Sequence, residues 1–416
     1  MNVAIIGSGI SGLTCAYLLR QKYEVTLFEK ADRIGGHTAT IDIDHKGQSF
    51  AIDTGFIVYN DWTYPNFIRL LDTLGVESQP TAMSFSVSCK NTGLEYGGSG
   101  FNALFAQRRN ALNVPYLKML KEIVRFNREA IIDLENHRLD SSTTLGEYLQ
   151  SKGYSPLFAS HYLIPMGSAI WSSTLEEVLN FPLLFFVRFF KNHGLLSIKN
   201  RPQWRVLKGG SKSYLKPITE HLKDRIVLNA NIRCVKRLND SVQIMFNDGR
   251  IQYFDQVVFA CHSDQALALL DEPSALEQKI LGAIPYRENS VILHTDERML
   301  PKSKRAWSAW NYHLGNRSDE PATLSYNMNI LQGLKTDDTF VVSLNAQEKI
   351  NEAKIVGEYR YAHPVFSLES SIAQQRWQEI NGIENTWFCG AYWRNGFHED
   401  GCYSGIRVAG GLGVHW

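Results

Sequence analysis

Gly7, Gly9 and Gly12 stand at the spacing G-x-G-x-x-G, directly after the apolar run Val3–Ile6 and directly before the helical stretch 13–20. In such a turn the first glycine permits the tight bend, and the second lets backbone N–H groups approach a pyrophosphate. The third allows close helix–strand packing, while the helix N-terminus offers partial positive charge to the phosphates. A second apolar run, 24–28, closes on Glu29, whose carboxylate can hydrogen-bond a ribose diol and repels a 2′-phosphate. Other titratable groups cluster far along the chain. His398, Glu399 and Asp400 occupy a glycine-rich stretch between Gly396 and Gly405, and Lys208 precedes the pair Gly209-Gly210.

The residues after Glu29 narrow the dinucleotide to FAD. Glu29-Lys30-Ala31-Asp32-Arg33-Ile34-Gly35-Gly36-His37-Thr38 resembles the extended motif of glutathione-reductase-like flavoproteins of the amine oxidase type. Asp53-Thr54-Gly55 matches the loop that follows in that superfamily. Phe388-Cys389-Gly390-Ala391 and the segment from Gly396 to Gly405 look like its second flavin segment: a strand, a loop over the cofactor, and a helix facing the ring. Further along, Tyr162–Gly167, Ile170–Ser173, Gln203–Ser211, Ala260–Asp264 and Phe397–Gly401 occur together in one family. The chain resembles these bacterial NAD/FAD-binding proteins of the flavin-containing amine oxidase superfamily. They are similar to the flavoprotein-like N-terminal half of plant cyclopropane fatty acid synthases.

The resemblance implies a set of FAD contacts: Gly7, Gly9, Ser11, Gly12, Glu29, Lys30, Arg33, Gly35, Gly36, His37, Thr38, Thr54, Gly55, Val235, Gly390, Glu399, Asp400, Ser404 and Gly405. It also implies catalytic roles for His398 and Lys208. His398, on the loop expected to border the flavin, would shuttle a proton with a pKa near neutrality, or be purely structural. Lys208 would stabilise charge on the reduced ring, or form an exposed ion pair. Glu399 and Asp400 would cap the following helix or bond flavin hydroxyls. Amine oxidases place a lysine near the flavin on a strand that aligns roughly with 290–294, where this chain has Leu293 with His294 beside it. Of the two aromatics that frame the flavin in those enzymes, Phe397 could supply one, without a phenol. Cys402 reads as a buried thiol, and His262 and His363 as structural histidines.

These residues need a βαβ unit over the first 30 positions. Helices are expected over 66–74, 116–134, 145–152 and 263–270, with a last one from about Ser404. Strands are expected over 256–260, 291–294, 323–328, 340–344 and 387–389, and 226–246 alternates like antiparallel strands. The fold class is α/β: a Rossmann-like FAD-binding domain of glutathione-reductase type with a discontinuous α+β substrate domain. The first would comprise 1–75 with 200–275 and 376–416, and the second 76–199 with 276–375.

Composition sets the outer limits. Over 416 residues, 43 Lys and Arg balance 42 Asp and Glu, which argues against a nucleic-acid partner. Aromatics reach 12 %, a surplus concentrated between the flavin motifs and read as the lining of an apolar cavity. Six scattered cysteines without C-x-x-C indicate neither disulfide frame nor metal site, and no signal or membrane-spanning run is apparent, so a cytoplasmic protein is expected. The run 181–190 could line a lipid tunnel, touch a membrane peripherally, or simply be helix core. The expected function is hydride transfer between an apolar, lipid or fatty-acyl small molecule and FAD, in desaturation, oxidation or isomerisation. A flavin amine oxidase and a non-catalytic lipid escort are the alternatives.

Overall fold

The computed structural model describes residues 1–140, 142–315 and 323–416. Strand β1 (Asn2–Ile6) lies at the centre of a five-stranded parallel sheet in the order Ile226–Val227, β2 (Glu24–Phe28), β1, Gln256–Phe259, Thr386–Phe388. Val3 to Ile6 are all buried, as expected for a parallel strand covered on both faces. Helix α1 (Ile10–Leu19) follows the glycine turn and packs against the C-terminal helix His398–Gly411. A small antiparallel sheet, Ile232–Arg237, Val242–Phe246 and Ile251–Phe254, adjoins the parallel sheet. It sets the Phe246 and Phe254 rings each 5.7 Å from Phe28.

A seven-stranded sheet runs Ile355–Pro364, Tyr286–His294, Val341–Leu344, Thr323–Asn327, Trp310–Leu314, Phe85–Cys89, Glu95–Gly97. All its pairings are antiparallel except that between Trp310–Leu314 and Phe85–Cys89. Helices cover it, among them Val114–Glu135, Ile164–Trp171 and Leu183–Asn192. The longest starts cleanly, because Asn113 accepts from the N–H of Tyr116 and Pro115 needs no acceptor in the first turn. Among the described residues, no helix is long and apolar enough to cross a membrane.

Two sequence expectations need correction, and one open alternative is decided. Ile226–Val227 pairs parallel with β2 instead of opening an antiparallel meander, because the chain crosses the sheet edge before it turns. The last helix begins at His398, not near Ser404. Phe397 holds the N-cap position and Asp400 reaches back to its N–H at 3.0 Å, so the glycine-rich stretch is helix from its third residue onward. The run 181–190 is core: Phe181, Leu183, Phe186, Val187, Phe189 and Phe190 are buried, which removes the reading of this run as a membrane-facing patch.

Glycines make the terminal helix pair possible. A Cβ at Gly405 would lie 2.5 Å from the carbonyl oxygen of Ser11, and one at Gly401 would lie 2.6 Å from Ile10 Cγ2. Gly405→Val should therefore destabilise the fold by about 1–3 kcal/mol through overpacking. Gly410→Ala meets only a His415 ring 3.6 Å away. It should stabilise the same helix by about 0.5–1 kcal/mol. Chemical denaturation of the two variants checks the contrast, and equal effects would contradict the packing argument.

Candidate flavin site

The turn after β1 is built around what glycine lacks. Gly7 has φ +110°, and a Cβ there would lie 2.7 Å from the carbonyl of Ala260. A Cβ at Gly12 would stand 2.0 Å from the carbonyl oxygen of Gly7, so α1 can approach β1 this closely only with glycine. Space above Gly9 is open: a Cβ there would meet nothing within 4 Å. No side chain caps the first turn of α1, which leaves its N–H groups for an anion.

The segment after β2 folds over this turn. Gly36 (φ +56°) comes so near that its Cβ would be 3.1 Å from Gly9 Cα, and Gly35 N–H donates to the Ser8 carbonyl at 3.0 Å. Arg33 holds the loop from outside, donating to the carbonyls of Gly36 at 3.0 Å and Thr38 at 3.1 Å. Glu29 spans the entrance, accepting from Ser8 N–H at 3.0 Å and Ala31 N–H at 2.9 Å. Lys30 is exposed.

His37 donates through Nε2 to the Ala362 carbonyl at 3.0 Å. Its ring lies 5.5 Å from that of His363 and 6.0 Å from that of His262. Three chain segments thus bring three imidazoles together beside the glycine loop. Burial holds all three down; repulsion from Arg33 adds to it at His37, and repulsion from the neighbouring imidazoles adds to it at His262, lowered to about 4, and at His363, lowered to about 3. His363 also meets Ser172 Oγ at 3.0 Å, and His262 stacks on Tyr286 at 4.0 Å.

The loop containing Thr54 and Gly55 locks onto the same strip. Thr54 Oγ1 bonds Tyr361 OH at 2.9 Å, and a Cβ at Gly55 would collide with the His37 carbonyl at 2.1 Å. Asp53 is the hub beneath. Its Oδ1 accepts from Thr40 Oγ1 at 2.6 Å, from Ser211 N–H at 2.8 Å and from Ser211 Oγ at 2.9 Å. Burial pushes its carboxyl up to about 6. Asp53 is a site residue not anticipated from sequence, although Thr54 and Gly55 directly after it were the available signal.

At the other end of the chain, Gly390 N–H donates to Ser404 Oγ at 3.0 Å, tying the turn to the C-terminal helix. Gly405 and Ser11 sit in the interface between α1 and that helix, and Val235 is buried in the small sheet's core. Glu399 does not cap its own helix. It accepts from Asn66 N–H at 3.1 Å and Phe67 N–H at 2.9 Å, capping the helix Pro65–Leu74. Burial raises its carboxyl. Asp400 caps its own helix, and its carboxyl is pushed up to about 6 by burial.

His398 is buried at the first turn of the C-terminal helix. Its ring stacks on Phe56 at 3.5 Å, and Nε2 meets Thr38 Oγ1 at 3.0 Å, with Tyr214 OH on the same threonine. Burial, reinforced by His37, holds its pKa well below the ordinary value, in contrast to the value near neutrality expected from sequence. The Phe56 partner was not anticipated. Lys208 takes the second of its two expected roles. Its Nζ pairs with Glu77 at 2.9 Å on the surface, with about half the side chain exposed.

Next to this site stands an aromatic wall. Phe397 stacks on Phe189 at 5.3 Å, and Phe189 on His193 at 3.8 Å, with Trp171 4.7 Å from Phe189. Trp204 lies 6.4 Å from His193, on the strand that pairs with Tyr59–Asn60. His193 donates through Nδ1 to the Phe189 carbonyl at 2.9 Å, and burial lowers it to about 4. Leu293 is fully buried with Val291, Val206, Val58 and Met328. His294 beside it is satisfied at both nitrogens, accepting from Asp296 N–H at 3.0 Å and donating to Ser343 Oγ at 2.8 Å.

A parallel sheet with this glycine turn, closed by the chain's last helix, defines a dinucleotide-binding flavoprotein. The chain belongs to the family of flavin-containing amine oxidoreductases, which it matches over residues 10–340. FAD is accordingly its cofactor, and the uncapped N-terminus of α1, the open space at Gly9 and the carboxylate of Glu29 fit it. A curated relative, flavin-containing amine oxidase A from Canis lupus familiaris, is 24 % identical over 257 residues, covering 58 % of this chain and 46 % of its own. The matches span between 11 % and 55 % of such relatives' own length. Among solved structures, cyclohexylamine oxidase from Brevibacterium oxydans superposes with a TM-score of 0.69 at 15 % identity, covering 99 % of this chain and 98 % of its own. A CLA-producing fatty acid isomerase from P. acnes gives 0.70 at 14 %, covering 98 % and 97 %. At these identities the structures show a shared fold.

The buried imidazoles have a consequence for stability. His37, His161, His193, His262, His294, His313, His363 and His398 are all depressed below 6.5 in the folded chain. The unfolded chain therefore binds more protons below that value, and stability falls as pH drops from 6.5 toward 4. Asp53, Glu399 and Asp400, raised by burial, oppose this but are fewer. Each unmatched proton contributes on the order of 1 kcal/mol per pH unit, so the melting temperature should fall by at least about 4 °C between about pH 7.5 and about pH 5.5. A flat or rising profile by circular dichroism would show that these rings are charged in the fold.

Proposed function

We propose that the protein is an FAD-dependent oxidoreductase acting on an apolar, fatty-acyl or other lipid small molecule. The observation that carries this reading is the aromatic wall of Trp171, Phe185, Phe189, Trp204 and Phe397, which adjoins the start of the C-terminal helix. Such a set of apolar rings packs against hydrocarbon. On the strand Tyr286–His294, which aligns roughly with the strand on which amine oxidases carry a lysine near the flavin, Leu293 lies in a buried apolar cluster. The resemblance to the plant cyclopropane fatty acid synthase half points to the same substrate class. The further assignment of 76–199 with 276–375 as substrate domain belongs to this proposal, since Phe85–Gly97 and Tyr286–Pro364 share the seven-stranded sheet behind the wall.

Bound FAD supplies a two-electron acceptor for a substrate C–H bond, ending in desaturation or oxidation, or in isomerisation when the hydride is returned. The chain's own residues bind, orient and exclude water. The N-terminus of α1, with Gly9 and Ser11, would hold the diphosphate, and Glu29 the ribose. Arg33 fixes the glycine arm. His398, neutral and bonded to Thr38, would present a hydrogen-bonding ring that neither gains nor loses charge near neutrality. The wall keeps bulk water from the reacting carbon. Cys402 is buried, and its thiol is held protonated by desolvation, so the flavin would be retained without a thioether.

The purified protein should be yellow, release its flavin on acid precipitation, and bleach anaerobically with fatty-acyl lipids. Glu29→Ala should weaken FAD retention about tenfold, on the scale of a lost charge-assisted hydrogen bond. A colourless protein that cannot be reconstituted would overturn the cofactor assignment. Bleaching and hydrogen peroxide release with amines, and none with lipids, would transfer the chain to amine oxidation.

A further inference from the structure

Away from the flavin site, the corner formed by residues 99–121 and 302–305 has a surface unlike the rest of the chain. Phe101, Leu112 and Val114 are 82 %, 88 % and 74 % exposed, the extremes among its large apolar side chains. Phe101 opens the short helix Phe101–Leu104, Leu112 ends the turn Arg108–Leu112, and Val114 starts the long helix Val114–Glu135. These elements form one unit. Tyr116 OH donates to the Leu104 carbonyl at 2.7 Å, Arg108 donates to Asn102 Oδ1 at 3.1 Å, and Phe101, Arg108 and Arg305 line one open surface hollow.

Charge is equally one-sided. Between Glu95 and Glu122 the sequence contains no acidic residue, while Arg108, Arg109, Lys118 and Lys121 are all exposed there. Lys302, Lys304 and Arg305 add to them from the neighbouring segment. Among the described residues, two carboxylates pair with these cations: Glu122, 3.9 Å from Lys118 and buried, and Glu297, 3.6 Å from Lys304. Glu95 is buried and occupied by the N–H groups of Lys302 and Ser303. Against a net charge of +1 for the whole chain, seven cations in one corner are a strong local excess.

We infer that this corner docks on an anionic lipid bilayer. Protruding phenylalanine and leucine tips set among ammonium and guanidinium groups match an interface where hydrocarbon lies just beneath negative headgroups. Water gives those apolar tips nothing in return for their exposure, and the cations prevent the patch from pairing with a second copy of itself, which would bring like charges together. The cations draw the protein to the surface; the three tips enter it. This docking is independent of the substrate assigned to the flavin site, since an amine-oxidising protein with the same corner would bind vesicles equally.

Co-sedimentation of the FAD-loaded protein with vesicles tests it. Wild type should bind phosphatidylcholine vesicles containing phosphatidylglycerol, ignore pure phosphatidylcholine, and dissociate in high salt. Phe101→Ser/Leu112→Ser and Arg109→Glu/Lys121→Glu should each reduce binding at least about tenfold. Both pairs are at the surface, so flavin spectrum and melting temperature should not change, and this separates lost docking from lost folding. Absence of wild-type binding to anionic vesicles, or unchanged binding by both variants, overturns the inference. So does a concentration-dependent dimer by light scattering that Phe101→Ser/Leu112→Ser dissolves without any effect on vesicles. Unchanged docking alongside a failure of lipids to bleach the flavin would count against the substrate reading alone.

Discussion

Contact between the first helix and the last one is the constraint on which the rest of the structure depends. Helix α1 must point its N-terminus at the glycine turn, and the C-terminal helix must place its own first turn nearby. Both are possible only because Gly401 and Gly405 present bare backbone to Ile10, Ser11 and Cys15. Gly12 does the same for α1 against β1. Two helix N-termini converge in this way from opposite ends of a 416-residue chain. The chain between them leaves the parallel sheet and returns to it twice, contributing Phe85–Cys89 and Glu95–Gly97 to the seven-stranded sheet before Ile226–Val227, and the strands from Tyr286 to Pro364 before Thr386–Phe388.

Burial of titratable groups is the second theme of the site. Around the glycine arm, imidazoles and carboxyls are removed from water, and desolvation is the largest cause of their shifts. Each has its hydrogen-bonding capacity taken up by a fixed partner: His37 by a carbonyl, Asp53 by Thr40 and Ser211, Glu399 by the N–H groups of a neighbouring helix. A strip built like this is fixed by hydrogen bonds, and burial shifts its imidazoles toward the neutral form. That suits a cofactor whose own diphosphate supplies the charge.

Aromatic side chains divide into two populations. Many pack as ordinary core, including most of the run 181–190, whose apolar density alone suggested something more specialised. The smaller set around Phe189, His193, Trp204 and Phe397 lies where the helical layer meets the start of the C-terminal helix. Phe101, by contrast, belongs to neither and stands in solvent among cations, at a place where local sequence offers no apolar periodicity to attract notice.

The resemblance implied that a C-terminal segment returns to the flavin site; by itself the sequence determined the βαβ unit and the glycine turn with Glu29. Those features are local: they depend on φ values only glycine tolerates, on short apolar runs, and on spacing within about 30 residues. Tertiary structure decided what His398, Glu399 and Lys208 do. Proton affinity and partner choice depend on neighbours hundreds of residues away: Thr38 for His398, Asn66 and Phe67 for Glu399, Glu77 for Lys208. The long strand Ile355–Pro364 escaped notice because its apolar face is only half buried, while its hydrogen bonds to Tyr286–His294 exist only once the sheet has formed. Side-chain chemistry can be read from composition, but its electrostatic setting is created by packing.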